Sequence, residues 1–447
     1  MSVSAPPLAT RHRHTNHATT FVGEFLVLFM LIFGPVLNTP IGFFADTSFF
    51  TAIIIIFYYF IIKRTNTISK YIVLLSLILL FISAFAILNT IFLDSNNTIE
   101  AIRAISRPIR ALVIFLGLYS FAASFAERHG YKAFDLGISL AFYAVVLHAL
   151  IMIFEFVWPA FREFMASIVL STTLIKSYLS YRMPGLAGAG GAQVSMAQSL
   201  GLILACHMIV KPNIRHGLIV GLGFFLIIIS LVLSGRSGFV ILLIFIPLSF
   251  VFYSISEKRM ILGPTIVKTA ILFSVAIVLS ALFYDSLVDK FPSLETAVLR
   301  TTDTWHGYQR TGQFNDLTLN ALAQMFIIPQ NFLHLLFGKA SYLQNNGIHI
   351  IPTDIGYFLI IWGYGFLGSL LHYLFYFILI YNVIGSSFID RRDKLICILL
   401  LGAVLLFNAK EIVVFSKMSF PISVFPVILL LFRQHIESTV MAASIKK

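Results

Sequence analysis

The sequence predicts an all-α, polytopic membrane protein of about 12 transmembrane helices with two long loops on the non-cytoplasmic side. Three observations predict it. Hydrophobic residues make up 59% of the 447 and charged residues only 11%, with a mean hydropathy of +0.93, more apolar surface than a soluble domain could hide. Apolar runs of roughly 17 to 25 residues, the length that crosses a hydrocarbon core, recur along the chain. Lysine and arginine gather in short clusters between them, as they do where positive charge sets membrane orientation.

The run 21–37 opens the series behind a polar stretch. The short run 49–62 is dense in isoleucine, and 71–92 in leucine and isoleucine. Runs 109–126 and 134–157 flank the basic pair Arg128 and Lys132; Lys211 and Arg215 separate 194–210 from 217–233. A small-residue turn, Ser234-Gly235-Arg236-Ser237-Gly238, joins 217–233 to 239–253, and 266–283 follows Lys258 and Arg259. Run 355–384 is too long for one straight helix; Gly363 and Gly365 predict a short entry helix, a break, then the true span. Runs 395–407 and 420–432 close the series between Arg391, Arg392, Lys394 and Arg433.

These basic clusters, with Arg11, Arg13, Lys63, Arg64, Lys70, Lys446 and Lys447, fall on one side, which makes that side cytoplasmic and home to both termini. Residues 1–20, which lack a signal-peptide cleavage pattern, are expected to form a cytoplasmic tail, 21–433 a single transmembrane domain, and 434–447 a second tail. The net charge of +12 therefore marks orientation and not a nucleic-acid partner. Cys206 and Cys397, far apart and both in apolar runs, imply neither a disulfide framework nor a cysteine metal site. The non-cytoplasmic face carries the long loops 158–193 and 285–353, whose aromatic and apolar residues predict ordered, partly helical caps. No internal repeat is visible, which weighs against a transporter of two similar halves.

Arginines also stand where orientation does not ask for them: Arg103, Arg107 and Arg110 entering the fourth span, Arg162 and Arg182 in the first long loop, Arg300 and Arg310 in the second, and Arg236 in the tight turn. A guanidinium at that depth needs a counter-charge, and its rigid fork of donors matches phosphate and carboxylate. Each either snorkels to headgroups, pairs with an acid such as Glu100, Glu163 or Asp303, or binds an anionic ligand. Arg236, and Arg182 beside the glycine-rich segment 182–191, point to the ligand. That segment lacks the preceding strand and the lysine of a nucleotide-binding loop, and is either a re-entry turn or a substrate lining. Asp354, at the start of the tenth run, is either an N-cap or a partly desolvated general base. His306, beside Trp305, is either a second base or a surface histidine near a sugar-stacking aromatic. The loops contain no Asp-x-Asp pair or histidine cluster suited to a divalent ion, so no metal or other cofactor is expected.

The turn 234–238, Arg310-Thr311-Gly312, Phe337-Gly338-Lys339, and Asp354-Ile355 about nine residues before Gly365-Phe366-Leu367-Gly368 together resemble the bacterial O-antigen ligase and polysaccharide polymerase superfamily. The resemblance covers most of the chain as a topology. In that family a His-Asn pair stands where this chain has Asp354 and Ile355; the spacing is kept and the histidine is not, which points from a lipid A core ligase toward a polymerase of repeat units. The resemblance implies a glycosyltransferase of the bacterial inner membrane with its site facing the periplasm. Its donor and acceptor are oligosaccharides on polyprenyl diphosphate, and its further partners are membrane lipids and a co-polymerase that regulates chain length. The acceptor hydroxyl attacks the anomeric carbon as the lipid diphosphate leaves. Arg182, Arg236 and Arg310, with Arg300 and Arg107, would contact the diphosphate or the glycan without a metal, and Asp354 or His306 would deprotonate or orient the acceptor. A core ligase, and a lipid-linked oligosaccharide flippase or secondary transporter, are the alternatives; loop asymmetry and few mid-span charges weigh against the transporter.

Overall fold

The computed structural model describes residues 17–39, 45–63, 69–92, 98–170, 182–187, 191–210, 217–235, 237–257, 286, 288–312, 324–339, 353–386 and 389–445. Among them the chain is helical and forms no strand. The helices are α1 (His17–Phe33), α2 (Thr47–Phe57), α3 (Lys70–Phe92), α4 (Thr98–His129), α5 (Ala133–Val157), α6 (Pro159–Ile168), α7 (Ala192–Val210), α8 (Gly217–Ser234), α9 (Ser237–Glu257), α10 (Pro292–Thr311), α11 (Phe332–Phe337), α12 (Gly356–Gly385), α13 (Arg391–Phe407) and α14 (Ser419–Ile445). Among the described residues, five stretches are long and apolar enough to cross a membrane: Lys70–Phe92, Ala104–Val157 (α4 and α5 together), Ala192–Val210, Gly217–Ser234 and Gly356–Gly385. That is fewer than the twelve expected, because further apolar helices such as Thr47–Ile62, Ser237–Tyr253 and Ser419–Gln434 are short, and run 266–283 lies outside the described residues. Phe81, Leu218, Leu243 and Phe377 stand exposed on the bundle, as on a surface that lipid covers.

The core sits around α14, in which every residue from 420 to 430 is buried, against α4, α5, α7, α12 and α13. A helix apolar on all sides can only be satisfied in such a position. Small residues bring helices close: a Cβ on Gly117 of α4 would come 2.6 Å from Ala52 Cβ of α2, and one on Gly201 of α7 would press on Val145 of α5. Successive helices alternate in direction, so the starts of α2, α4, α7, α9, α12 and α14 gather with the ends of α1, α3, α5, α8 and α13. This is called the Arg107 end below. At the opposite end, Arg128 Nη1 lies 2.9 Å from Glu24 Oε1, Arg433 Nη1 lies 2.6 Å from Asp393 Oδ2, and Lys63 pairs with Glu127.

The predicted break in α12 is present. Gly365 adopts φ 68 and ψ −177, a conformation that side chains disfavour. The break receives the main chain of α11: a Cβ on Gly365 would overlap Leu336 and Phe337 backbone, and one on Gly338 would meet Gly363, Tyr364 and Gly365 backbone. Lys339 N–H donates to Trp362 O (2.7 Å), Trp362 Nε1 donates to Ile327 O (2.9 Å), and the Asn89 amide of α3 donates to Phe337 O. The Phe337-Gly338-Lys339 segment and Gly365, singled out separately in the sequence, are therefore in contact.

Candidate functional site

The best-organised polar region at the Arg107 end is built on the connection 408–418. Asn408, just past α13, accepts at Oδ1 from Val413 N–H (3.1 Å) and Val414 N–H (3.5 Å), and its amide donates to Tyr373 OH (3.2 Å). Gly356 opens α12 against this turn, where a Cβ would stand 2.6 Å from Glu411 O and Asn408 Oδ1. Phe415 takes φ 57, the one non-glycine residue with positive φ among those described. Such a conformation costs about 1–3 kcal/mol and persists only where the surroundings dictate it. Here the Phe415 ring packs on His372, Phe375, Tyr376 and Phe420, and its N–H points at Tyr376 OH (3.4 Å).

Charged groups converge on this connection from four other segments. Arg107 of α4 donates through Nη2 to Ile412 O (2.9 Å). One turn on, Arg110 Nη1 lies 3.6 Å from Asp46 Oδ2. Asp46 caps α2 by accepting from Ser48 N–H (3.0 Å), accepts from Ser48 Oγ (2.6 Å), and meets Lys417 Nζ at 3.1 Å. Burial alone would raise the Asp46 carboxyl, but Lys417 and Arg110 outweigh it and hold it below its ordinary value of 3.8. Burial pulls the Lys417 ammonium down to about 8 against the opposing pull of Asp46. Lys410 Nζ stands 4.0 Å from Asp354 Oδ2. Beside Lys410 in the same connection is the carboxyl of Glu411. Burial pushes it up to about 7, Asp354 adds to that, and Lys410, Arg107 and Arg182 oppose it.

Of the residues predicted from sequence, the structure brings Arg107, Arg182 and Asp354 to this region. Arg182 precedes a turn held from below: Met183 N–H donates to Leu233 O (2.9 Å), Gly185 N–H to Glu155 Oε2 (2.9 Å), and Leu186 N–H to His148 Nε2 (3.2 Å). On the other side of the same ring, Gln198 Nε2 lies 2.8 Å from His148 Nδ1. The glycine-rich segment thus begins as an anchored turn, with Gly185 at φ 58 where a Cβ would meet His148. Arg236 lies outside the described residues, but the turn that carries it is pinned on both sides by Ser195, whose Oγ donates to Gly235 O and accepts from Gly238 N–H, each at 2.7 Å. Arg300, His306 and Arg310 lie on α10, which packs on α8; their side chains lie outside the described part.

Two expectations change. The N-cap of α12 is Ile355, whose N–H donates to Thr353 Oγ1 (3.2 Å), so Asp354 is not the cap. It faces Lys410 instead, with 48% of its side chain open. Arg110 stands beside Asp46, an acid that the sequence did not single out as its counter-charge. Sequence reasoning missed Asp46, Lys410, Glu411 and Lys417. One signal was available: the short connection between the last two apolar runs carries three charges within eight residues, Lys410 to Lys417.

At the opposite end, Asp135, His207 and Asp393 bring ligand-type atoms within 4.8 Å of one another. Arg433 already holds Asp393, Tyr253 OH lies 2.8 Å from His207 Nδ1, and both acids stand in the positive first turns of α5 and α13, so the cluster works as an ionic tie between five helices. Comparison with protein-family models, with curated proteins and with solved structures finds no match.

Proposed function

We propose that this protein is a glycosyltransferase that polymerises oligosaccharide repeat units carried on polyprenyl diphosphate, working from its Arg107 end at the periplasmic face of a bacterial inner membrane. The observation that carries the reading is the convergence of Arg107, Arg182 and Lys410 around the carboxylates Glu411 and Asp354 at the mouth of an apolar bundle. A lipid carrier in the surrounding bilayer has its diphosphate at the level of such a mouth, with its sugars beyond it. The acceptor hydroxyl oxygen bonds to the anomeric carbon, the bond from that carbon to the diphosphate oxygen breaks, and its electron pair leaves with the diphosphate. Guanidinium and ammonium groups fixed before the reaction stabilise that departing charge without reorganising. A carboxylate takes the acceptor proton. Arg236, Arg300 and Arg310 are further diphosphate or glycan contacts in this reading, His306 is a further candidate base, and a chain-length-regulating co-polymerase is the expected partner.

The test is the length distribution of surface polysaccharide in cells lacking the gene, complemented with the wild type, Arg107→Ala or Arg182→Ala. Restoration of long chains by the wild type, with single repeat units left by variants still present in the membrane, supports the reading. Long chains in the uncomplemented knockout overturn it, and loss of lipid A attachment alone would replace it with ligation.

A further inference from the structure

We infer that α6 (Pro159–Ile168) is an interfacial helix, which lies in the plane of the bilayer surface at the Arg107 end and binds the headgroup–acyl boundary of the phospholipids through Trp158, Phe164 and Ile168. The inference is independent of the glycosyl-transfer reading and adds an interaction surface to the molecule whatever reaction it performs.

The path of the chain sets the direction of the helix. Trp158 leaves α5 at φ −122 and ψ 94, and Pro159, with no N–H to continue α5, begins a new helix there. The far end of α6 is tied to the segment after α1. Val169 pairs with Leu37 in an antiparallel bridge, Asn38 N–H donates to Ile168 O (2.7 Å), and Leu170 N–H donates to Val36 O (2.8 Å). Val36 in turn pairs with Asp46, the cap of α2. One end of α6 is thus held at the end of α5 and the other level with the start of α2. A helix of 10 residues is about 15 Å long, and one that prolonged α5 outward would carry Val169 that far from α2. Instead α6 runs across the end of the bundle.

Residues four apart share a helix face, and α6 sorts its residues into three. Met165, with Val169 just beyond the helix, is buried against the bundle. Glu163 and Ser167 form an exposed polar line. Phe164 and Ile168 form an exposed apolar one, with Phe164 55% open. That apolar line continues the lipid-covered side of the bundle, because Phe154 and Val157 in the last turn of α5 are exposed and Trp158 is 59% open. Ring contacts join the two surfaces: Phe161 lies 6.4 Å from Phe154, 6.2 Å from Trp158 and 6.5 Å from Phe164, centroid to centroid. Aromatic rings gather where hydrocarbon meets headgroups, and a helix with one polar and one apolar edge satisfies both by lying along that boundary. The only charges on α6 are Arg162 and Glu163, which cancel, so apolar burial and not attraction to anionic headgroups holds it there.

The experiment places a nitroxide at Glu163→Cys, Phe164→Cys, Ser167→Cys or Ile168→Cys, one at a time, in the full-length protein in nanodiscs of phosphatidylcholine with and without phosphatidylglycerol. Cys206 and Cys397 are buried and can stay. All four sites are exposed, so the label leaves the packing of α6 intact. Collision of the nitroxide with oxygen, which concentrates in hydrocarbon, is compared with collision with a neutral water-soluble nickel chelate, and Leu243→Cys on α9 gives the hydrocarbon reference. Oxygen should prevail at 164 and 168 and the chelate at 163 and 167, in both lipid mixtures, with residue 164 about 5–10 Å below the headgroups. The chelate prevailing at all four sites puts α6 in water, and oxygen prevailing at all four puts it inside the hydrocarbon; either result overturns the inference. Protection from both reagents at 164 and 168 also overturns it, as the mark of a protein partner, with spin–spin broadening identifying a second copy of this chain. A pattern that appears only with phosphatidylglycerol overturns the apolar basis of the contact. A measurement that needs no label is the difference in emission between wild type and Trp158→Phe. Quenching of that difference by lipids brominated high on the acyl chain is expected, and quenching by aqueous iodide alone overturns the inference.

Discussion

Replacing Asp46 by asparagine should destabilise the protein by about 3–5 kcal/mol at neutral pH, the cost of leaving one member of a buried ion pair without its counter-charge. The side chains of Asp46 and Lys417 are 6% and 10% exposed, which removes this contact from the class of surface pairs worth under about 1 kcal/mol. At 3.1 Å and an effective dielectric constant of about 20, the gross attraction is about 5 kcal/mol. Asparagine keeps the cap on α2 but withdraws the charge from Lys417 and Arg110. Thermal unfolding of the detergent-purified protein, followed by the monomer peak in size exclusion, should shift down by several degrees. Two further readings follow from the sign of the shifts. The defect should shrink above about pH 8, where Lys417 sheds its proton and no longer needs a partner. In the wild type, the contribution of the lowered Asp46 is present throughout the neutral range and is lost only as pH falls below 3.8. The double variant Asp46→Asn with Lys417→Met should recover most of the loss, because removing both charges also removes the desolvation penalty. A single variant within about 1 kcal/mol of wild type, or a double variant worse than the single, would refute the reasoning.

Gly365→Ala should destabilise by more than the about 1–3 kcal/mol of a side-chain residue held at φ 68 and ψ −177, because the new methyl also overlaps Leu336 and Phe337 main chain. Faster proteolysis within 324–339 is the local readout, and Gly307→Ala, which meets nothing within 4 Å on α10, is the control expected to be neutral or slightly stabilising. Ser195→Ala should cost about 1–3 kcal/mol by leaving Gly238 N–H and Gly235 O without their partner, read as a lower thermal midpoint of the purified protein. Unchanged stability in either variant would mean that the backbone relaxes around it.

The helices were legible because hydrocarbon-length apolar runs leave little room for another reading, and the break in α12 because two glycines interrupt an otherwise overlong run. Arg107 and Arg182 were legible as positive charges placed where orientation gave no reason for them, and Asp354 as an acid at the start of an apolar run. The pairing was not. Asp46 and Arg110 are 64 positions apart, and only the packing of α2 against α4 makes one the counter-charge of the other. Asp46 is also an ordinary N-cap of α2, a role that conceals its second one. Glu411 looks from sequence like a loop acid; that its main chain lies against the start of α12, at a position where only Gly356 leaves room, is a consequence of tertiary contact that no local pattern announces.

The joint between α11 and the break in α12 passes through main-chain atoms. Side chains at such a joint are free to drift over evolutionary time, provided that the two glycines do not. Leu336 enters the contact with Gly365 through its carbonyl group, so its identity is weakly constrained there, whereas Gly338 and Gly365 tolerate nothing larger. Among descendants of this sequence, the segment 332–337 should therefore diverge faster than its contact with α12 would suggest, leaving two isolated invariant glycines as the trace of an interlocked backbone.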